Sequence, residues 1–244
     1  MACHAILILK SMLCSFFMVV VNIAILLRLI PSFFNIPPLL RDKSALSYQS
    51  NFYIMSAYDF QEIPKVFYSY QTQKAFCNCL VCNCYLLDDA TYVIEKAYKK
   101  HLGYTAQDVI FDYAICLACA LKIRQEFSSD SLTKIDAYFS EHLAMSPSPR
   151  QKDPIDIDQC LAQCAIKKTS VTEMTNYQIY GHFYGNKLIK SISPYLISQS
   201  AIEEIIPLIS NDTQDLLNDF YNRHLNPDPE LFLPKQPSDH LVFI

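Results

Sequence analysis

Between Lys10 and Arg28 the chain carries an unbroken uncharged run, SMLCSFFMVVVNIAILL. About 17 apolar residues is the lower limit for a helix that crosses a hydrocarbon core. Residues 11–30 therefore predict a single membrane anchor, with Lys10 snorkelling toward the interface. Further along, the pattern becomes that of a folded body. Thr91–Tyr98 (TYVIEKAY) and Val109–Ile115 (VIFDYAI) are rich in β-branched and aromatic residues and predict strands, with Lys99–Asp108 as the turn region. After Cys119 the pattern changes to ALKIRQEF, a helix. Tyr177–Tyr184 and Lys187–Ile192 predict a hairpin turning at Gly185-Asn186. Ser200 followed by Glu203 is a capping-box signature for a short helix containing Ile205 and Ile206, interrupted by Pro207. Asn211 with Gln214 opens another helix running to about His224, and its counterpart runs from near Ser129 to His142.

These elements recur. Tyr113–Leu143 aligns on Tyr195–Leu225 without a gap, so one constant offset relates the two segments. Tyr113, Ile115, Ile123, Ser128, Asp130, His142 and Leu143 fall on Tyr195, Ile197, Ile205, Ser210, Asp212, His224 and Leu225. Upstream, Cys82 falls on Cys164. A fixed period predicts a duplicated unit. The expected organisation is a hydrophobic segment at 1–54, a first module at 55–144, a linker at 145–158 containing MSPSPRQKDP, and a second module at 159–244.

Charge supports a boundary near residue 50. Residues 1–54 hold Lys10, Arg28, Arg41 and Lys43 against Asp42; the rest holds 16 basic and 23 acidic residues, a balance of −7. If the anchor is real, basic residues after the span weakly favour a cytoplasmic body. Two other readings of positions 1–54 stay open. One is a cleaved signal peptide, although no small-x-small site follows the run. The other is translation from Met55, which leaves a cytoplasmic protein. An acidic body opposes nucleic-acid binding, which neutralises phosphates with Lys and Arg. Lys96-Lys99-Lys100 and Lys167-Lys168 are expected as solvated faces. The chain has three glycines and neither phosphate-cradling motif; Gly103, Gly181 and Gly185 are expected in turns.

The candidate chemistry lies in two Cys-x-x-Cys pairs, Cys79–Cys82 and Cys116–Cys119. Two such knuckles supply four thiolates, the closed tetrahedral set of a structural Zn2+ site. The second pair opens a helix, where N–H groups favour thiolate. Cys77 and Cys84 flank the first knuckle, and either could substitute as a ligand. Metal-free buried thiols, disulfides and a redox-active pair are the competing readings. In the second module Ser198 and Ala201 replace Cys116 and Cys119, so Cys160 and Cys164 cannot close a four-thiolate site.

Knuckle, β-hairpin, knuckle and helix in that order resemble a treble-clef or zinc-ribbon module over Phe76–Phe127. The resemblance is one of architecture. With the repeat, it leads to an expected α+β fold of two related modules, the first zinc-bound and the second metal-free. A closed site leaves no position for water or substrate. No Ser-His-Asp order, HExxH or paired-carboxylate motif stands out; Asp88-Asp89 and Glu203-Glu204 fit a turn and a helix start. His182 could in principle join Cys160 and Cys164 as a ligand, whereas His142 and His224 suit helix C-termini as cations. The function expected is a zinc-stabilised interaction or adaptor protein without catalytic activity, its protein partner unidentified. A thiol-based redox protein is the alternative, and a nucleic-acid-binding ribbon the third.

Overall fold

The computed structural model describes residues 60–101, 106–142 and 154–225. The expected anchor at 11–30, Met55, Gly103 and most of the linker lie outside the described residues. No helix among the described residues is long and apolar enough to cross a membrane.

The fold is mixed α+β, built on one antiparallel sheet. Its strands are β1 (Phe60–Glu62), β2 (Thr91–Lys100), β3 (Gln107–Cys116), β4 (Asn176–Tyr184), β5 (Lys187–Ile189) and β6 (Tyr195–Ser198). The order is β1-β5-β4-β2-β3, and β6 shares with β5 the edge of β4 away from β2. Helix α1 (Leu117–Gln125) follows β3 directly, and α2 (Ser129–His142) comes next. After a one-turn α3 (Ile157–Cys160), the second half ends with α4 (Gln199–Ile205) and α5 (Asn211–His224). The helix after β3 packs back on β2, and the helix after β6 packs back on β4. One apolar cluster runs through both halves, from Phe67 and Tyr92 to Leu217 and Phe220.

Several expectations change in detail. The strands of both hairpins begin where the β-branched and aromatic runs place them, but the one expected over Lys187–Ile192 stops at Ile189, and the helix caps shift. Ser198, not Ser200, caps α4 by accepting from the N–H of Ala201. Ser210, rather than Asn211, caps α5 by accepting from Thr213. Each true cap sits where the chain leaves an extended conformation, which is what frees the hydroxyl to reach the first helical N–H groups. Gly185 does occupy a turn, at φ 51°, and a Cβ there would sit 2.2 Å from the carbonyl oxygen of Asp88. Gly181 does not: it lies inside β4, where a Cβ would meet the Phe67 ring at 3.0 Å. Phe67 meets Phe183 edge-on at 5.3 Å, so the absent side chain makes the slot for that ring.

Lys96 is buried rather than solvated. It donates to the carbonyl of Tyr68 at 2.6 Å and pairs with Asp112 at 3.5 Å. Lys100 donates to the carbonyl of Val171 at 2.5 Å. The reason is tertiary: β2 is a central strand covered on both faces, so its polar positions had to find partners inside. The opposite face of β2 carries Glu95, fully buried, which accepts from the hydroxyls of Tyr113 at 2.5 Å and Tyr180 at 3.1 Å. Tyr180 in turn stacks on Tyr195 at 5.2 Å.

The contacts between the halves are reciprocal. In the β2–β4 ladder Thr91 faces Tyr184 and Lys99 faces Asn176, and at the midpoint Glu95 faces Tyr180, 85 residues on. At the helix starts Ser128 meets Ser210, 82 residues on, oxygen to oxygen at 3.0 Å. Around that pair the N–H of Ser128 donates to Thr213 Oγ1 at 3.2 Å, and the N–H of Ser210 donates to Ser131 Oγ at 2.8 Å. Each half thus caps the other with the same two positions, the pattern of a two-fold contact.

Candidate metal centre

The first knuckle is a tight local turn. The N–H of Cys79 donates to the carbonyl of Cys84 at 2.9 Å, and the N–H of Asn83 donates back to Cys79 at 2.9 Å. Asn83 takes φ 56°, the left-handed conformation that Asn tolerates. The knuckle is then sewn to the end of β3. Leu80 donates to the carbonyl of Ala114 at 2.9 Å, and the N–H of Cys116 donates to Cys79 Sγ at 3.3 Å. Because β3 runs straight into α1, the same register delivers Cys116 at the cap position of the helix and Cys119 one turn on.

Four thiols converge: the Sγ atoms of Cys79, Cys82, Cys84 and Cys116 all lie within 4.8 Å of one another, and together they could hold a metal ion. The Cys82–Cys116 separation is 3.7 Å. A disulfide needs about 2.05 Å, so these are separate thiols. The edge of a tetrahedron with metal–sulfur bonds of about 2.3 Å is about 3.8 Å, which the pair matches. Cys119 of the expected quartet is buried next to this group, and its thiol interacts with those of Cys82 and Cys116. Cys77 stays outside, exposed, with its thiol directed at the carbonyl of Ala75. Cys84 is the member that knuckle spacing does not select. Its signal in the sequence is the symmetric run C-x-C-x-x-C-x-C, whose closing Cys returns beside the opening knuckle residue.

The protons in this group are unequally held. The Cys116 thiol donates to Cys79, and this, with N–H groups of Cys116, Cys82 and Val81 and against the cost of burial, lowers Cys79 to about 4. Cys116 is correspondingly raised, by that same hydrogen bond and by burial. Burial, then the neighbouring Cys82, pushes Cys119 up to about 12. Cys82 is lowered, first by the backbone N–H of Cys84, and Cys84 is raised by burial. Thiols of unequal acidity packed around one point form a donor set that a soft or borderline cation completes by displacing their protons.

The second knuckle has the same backbone course and different chemistry. Cys164 donates its N–H to Thr169 at 2.8 Å, Lys168 donates back to Cys164 at 2.9 Å with φ 58°, and Ala165 donates to Leu196 at 2.7 Å. The N–H of Ser198 meets Cys164 Sγ at 3.3 Å. These bonds match Cys164 to Cys79, so the expected pairing of Cys164 with Cys82 is displaced by one knuckle spacing. The matching bonds of the two turns lie as far apart along the chain as Glu95 and Tyr180, whereas the paired serines at the helix starts lie at the shorter Ser128-to-Ser210 separation. Lys167 consequently stands at the position of Cys82, Ser198 at that of Cys116 and Ala201 at that of Cys119. Lys167 forms an ion pair with Glu204 of α4, and Tyr138 of α2 donates to the same carboxylate at 3.0 Å. Lys167 and then Tyr138 hold that carboxyl below its ordinary value. The Ser198 hydroxyl donates to Cys164 Sγ at 3.3 Å.

His182 does not join Cys160 and Cys164. The ladder puts it on the face of the sheet shared with Val93 and Glu95, whereas Ser198 and its partner Cys164 belong to the other. Burial lowers its pKa to about 4, and neither ring nitrogen has a hydrogen-bond partner among the described residues. His142 and His224 do end α2 and α5. Burial and Arg223 lower the His224 pKa, against its reading as a helix-end cation.

No known protein family, curated protein or solved structure matches this chain.

Proposed function

We propose that the chain is a duplicated treble-clef-like unit whose first half is stapled by one structural Zn2+ and whose second half holds the same course without metal, and that it acts as a protein-interaction module rather than an enzyme. The observation that carries the reading is the convergence of four thiols within 4.8 Å, two of them spaced like the edge of a tetrahedral metal–thiolate site. The equivalent hydrogen bonds at both knuckles, and the reciprocal serine caps, support duplication. In the second half an ion pair and the Ser198–Cys164 hydrogen bond tie knuckle to helix where the first half has thiols. A role without catalysis suits a site whose ligands leave no open position. The partner class expected is protein, and an anchor at residues 11–30 would place the module at a membrane surface.

The test is elemental analysis of the purified, reduced protein. One zinc per chain is expected, and its removal by a chelator should unfold the first half. Protein that folds and is stably free of metal under these conditions refutes the proposal. A thiol-redox role is the second reading, favoured by the exposed Cys82 with its lowered pKa. Rapid alkylation of Cys82 in zinc-loaded protein would favour it.

A further inference from the structure

A closed tetrahedral site needs four thiolates; Cys79, Cys82, Cys84 and Cys116 lie within 4.8 Å of one another, and Cys119 packs beside Cys82 and Cys116 as a fifth. Two of them arrive by separate routes. Cys84 is brought back beside Cys79 by the knuckle itself, through the Cys79 N–H bond to its carbonyl and the bridge between Asn78 and Tyr85. Cys119 comes one helical turn after Cys116, where its thiol meets Cys82 and Cys116. Neither route constrains the other. The knuckle turn is fixed by Asn83, and the helix by its continuity with β3.

We propose that the centre holds a single thiophilic divalent ion on Cys79, Cys82 and Cys116 as constant ligands, with Cys84 and Cys119 as interchangeable fourth ligands. This rests on the reading of the group as a metal site. The chemistry is a ligand substitution: the entering thiol gives its proton to solvent and its sulfur bonds the ion, while the leaving thiolate takes a proton. No oxidation state changes. A spare thiol beside a filled shell offers the ion an associative path out of the site. The path opens toward solvent, because Cys82 is exposed and Cys84 only half-buried. The site should therefore bind tightly but exchange its ion readily with an external thiolate or chelator.

The test uses the full chain, reduced and loaded with Zn2+ or with Co2+. Cys84→Ser and Cys119→Ser should each retain one ion per chain, with affinity reduced by less than about tenfold, equivalent to about 1.4 kcal/mol. Each Co2+ form should keep the sulfur-to-cobalt charge-transfer intensity of four thiolates. Cys84→Ser/Cys119→Ser together should lose stoichiometric binding and drop that intensity. Transfer of Zn2+ to a chromophoric chelator should be several-fold slower from either single variant than from the wild type, a readout that decides the matter even where the double variant fails to fold. Loss of the ion in one single variant makes that cysteine a dedicated ligand and overturns the proposal, as does a double variant that still binds. Wild-type protein that takes up neither ion refutes the metal site itself, a separate outcome.

Discussion

Replacing His182 with Leu tests whether the core of the sheet contains an acid-labile point. His182 lies in β4 with no exposed surface, and neither of its ring nitrogens has a hydrogen-bond partner among the described residues. Burial lowers its pKa to about 4, against about 6.5 in an unfolded chain. Between those values the unfolded state binds a proton that the folded state refuses, so stability must fall as pH falls through this window. At about 1.4 kcal/mol per unit, the full loss by pH 4 is about 3 kcal/mol, of which about 2 kcal/mol occurs between pH 7 and pH 5. Above pH 7 the group contributes no slope. His182→Leu removes the titrating site and leaves no orphaned nitrogen, so at pH 7 it should be neutral or stabilising by about 1 kcal/mol. Urea unfolding of wild type and variant at pH 7, 6 and 5 measures the difference, and metal-linked effects common to both cancel. Parallel curves would show that His182 does not titrate as a buried neutral group. Destabilisation of the variant by about 2 kcal/mol or more at pH 7, beyond the net worth of an ordinary hydrogen bond, would show that the imidazole is held by polar partners.

Other expectations follow from the centre and the two-fold contact. Cys116→Ser should cost far more stability than Cys164→Ser, because metal binding supplies on the order of 10 kcal/mol of folding free energy in small modules; equal, mild losses by thermal unfolding would contradict this. The triple substitution Lys167→Cys, Ser198→Cys, Ala201→Cys restores the thiol positions of the first knuckle around Cys164 and should raise zinc from one to two per chain by elemental analysis. Unchanged stoichiometry in a folded triple variant counts against the duplication. Glu95→Leu removes the acceptor that the buried hydroxyls of Tyr113 and Tyr180 share and should destabilise by about 2 kcal/mol in chemical denaturation, with Glu95→Gln milder.

Local physics made much of this protein legible from its residues. The strands of β2, β3 and β4 follow from runs of β-branched and aromatic side chains, and Gly185-Asn186 from the need for positive φ. Cys79 and Cys82 were recoverable because a Cys-x-x-Cys knuckle is a local turn with fixed spacing, Cys116 because its own Cys-x-x-Cys spacing precedes a helical pattern, and α2 from its match to the segment that forms α5. What depended on distant chain segments was not readable. Lys96 looks like part of a solvated basic run until β4 covers β2 and Tyr68 and Asp112 close over its ammonium. Glu95 looks like an ordinary strand carboxylate until the ladder sets it opposite Tyr180. The spacing that brings Ser128 to Ser210 was visible in the sequence, yet the match of Cys164 to Cys79 rather than Cys82 emerges only from hydrogen bonds between knuckle and strand end. Cys84 was named in advance as a possible ligand, and the local turn that bonds its carbonyl to the Cys79 N–H brings it into the thiol group. Spacing along a chain determines which donors can share a turn, whereas packing decides which turns meet around one point.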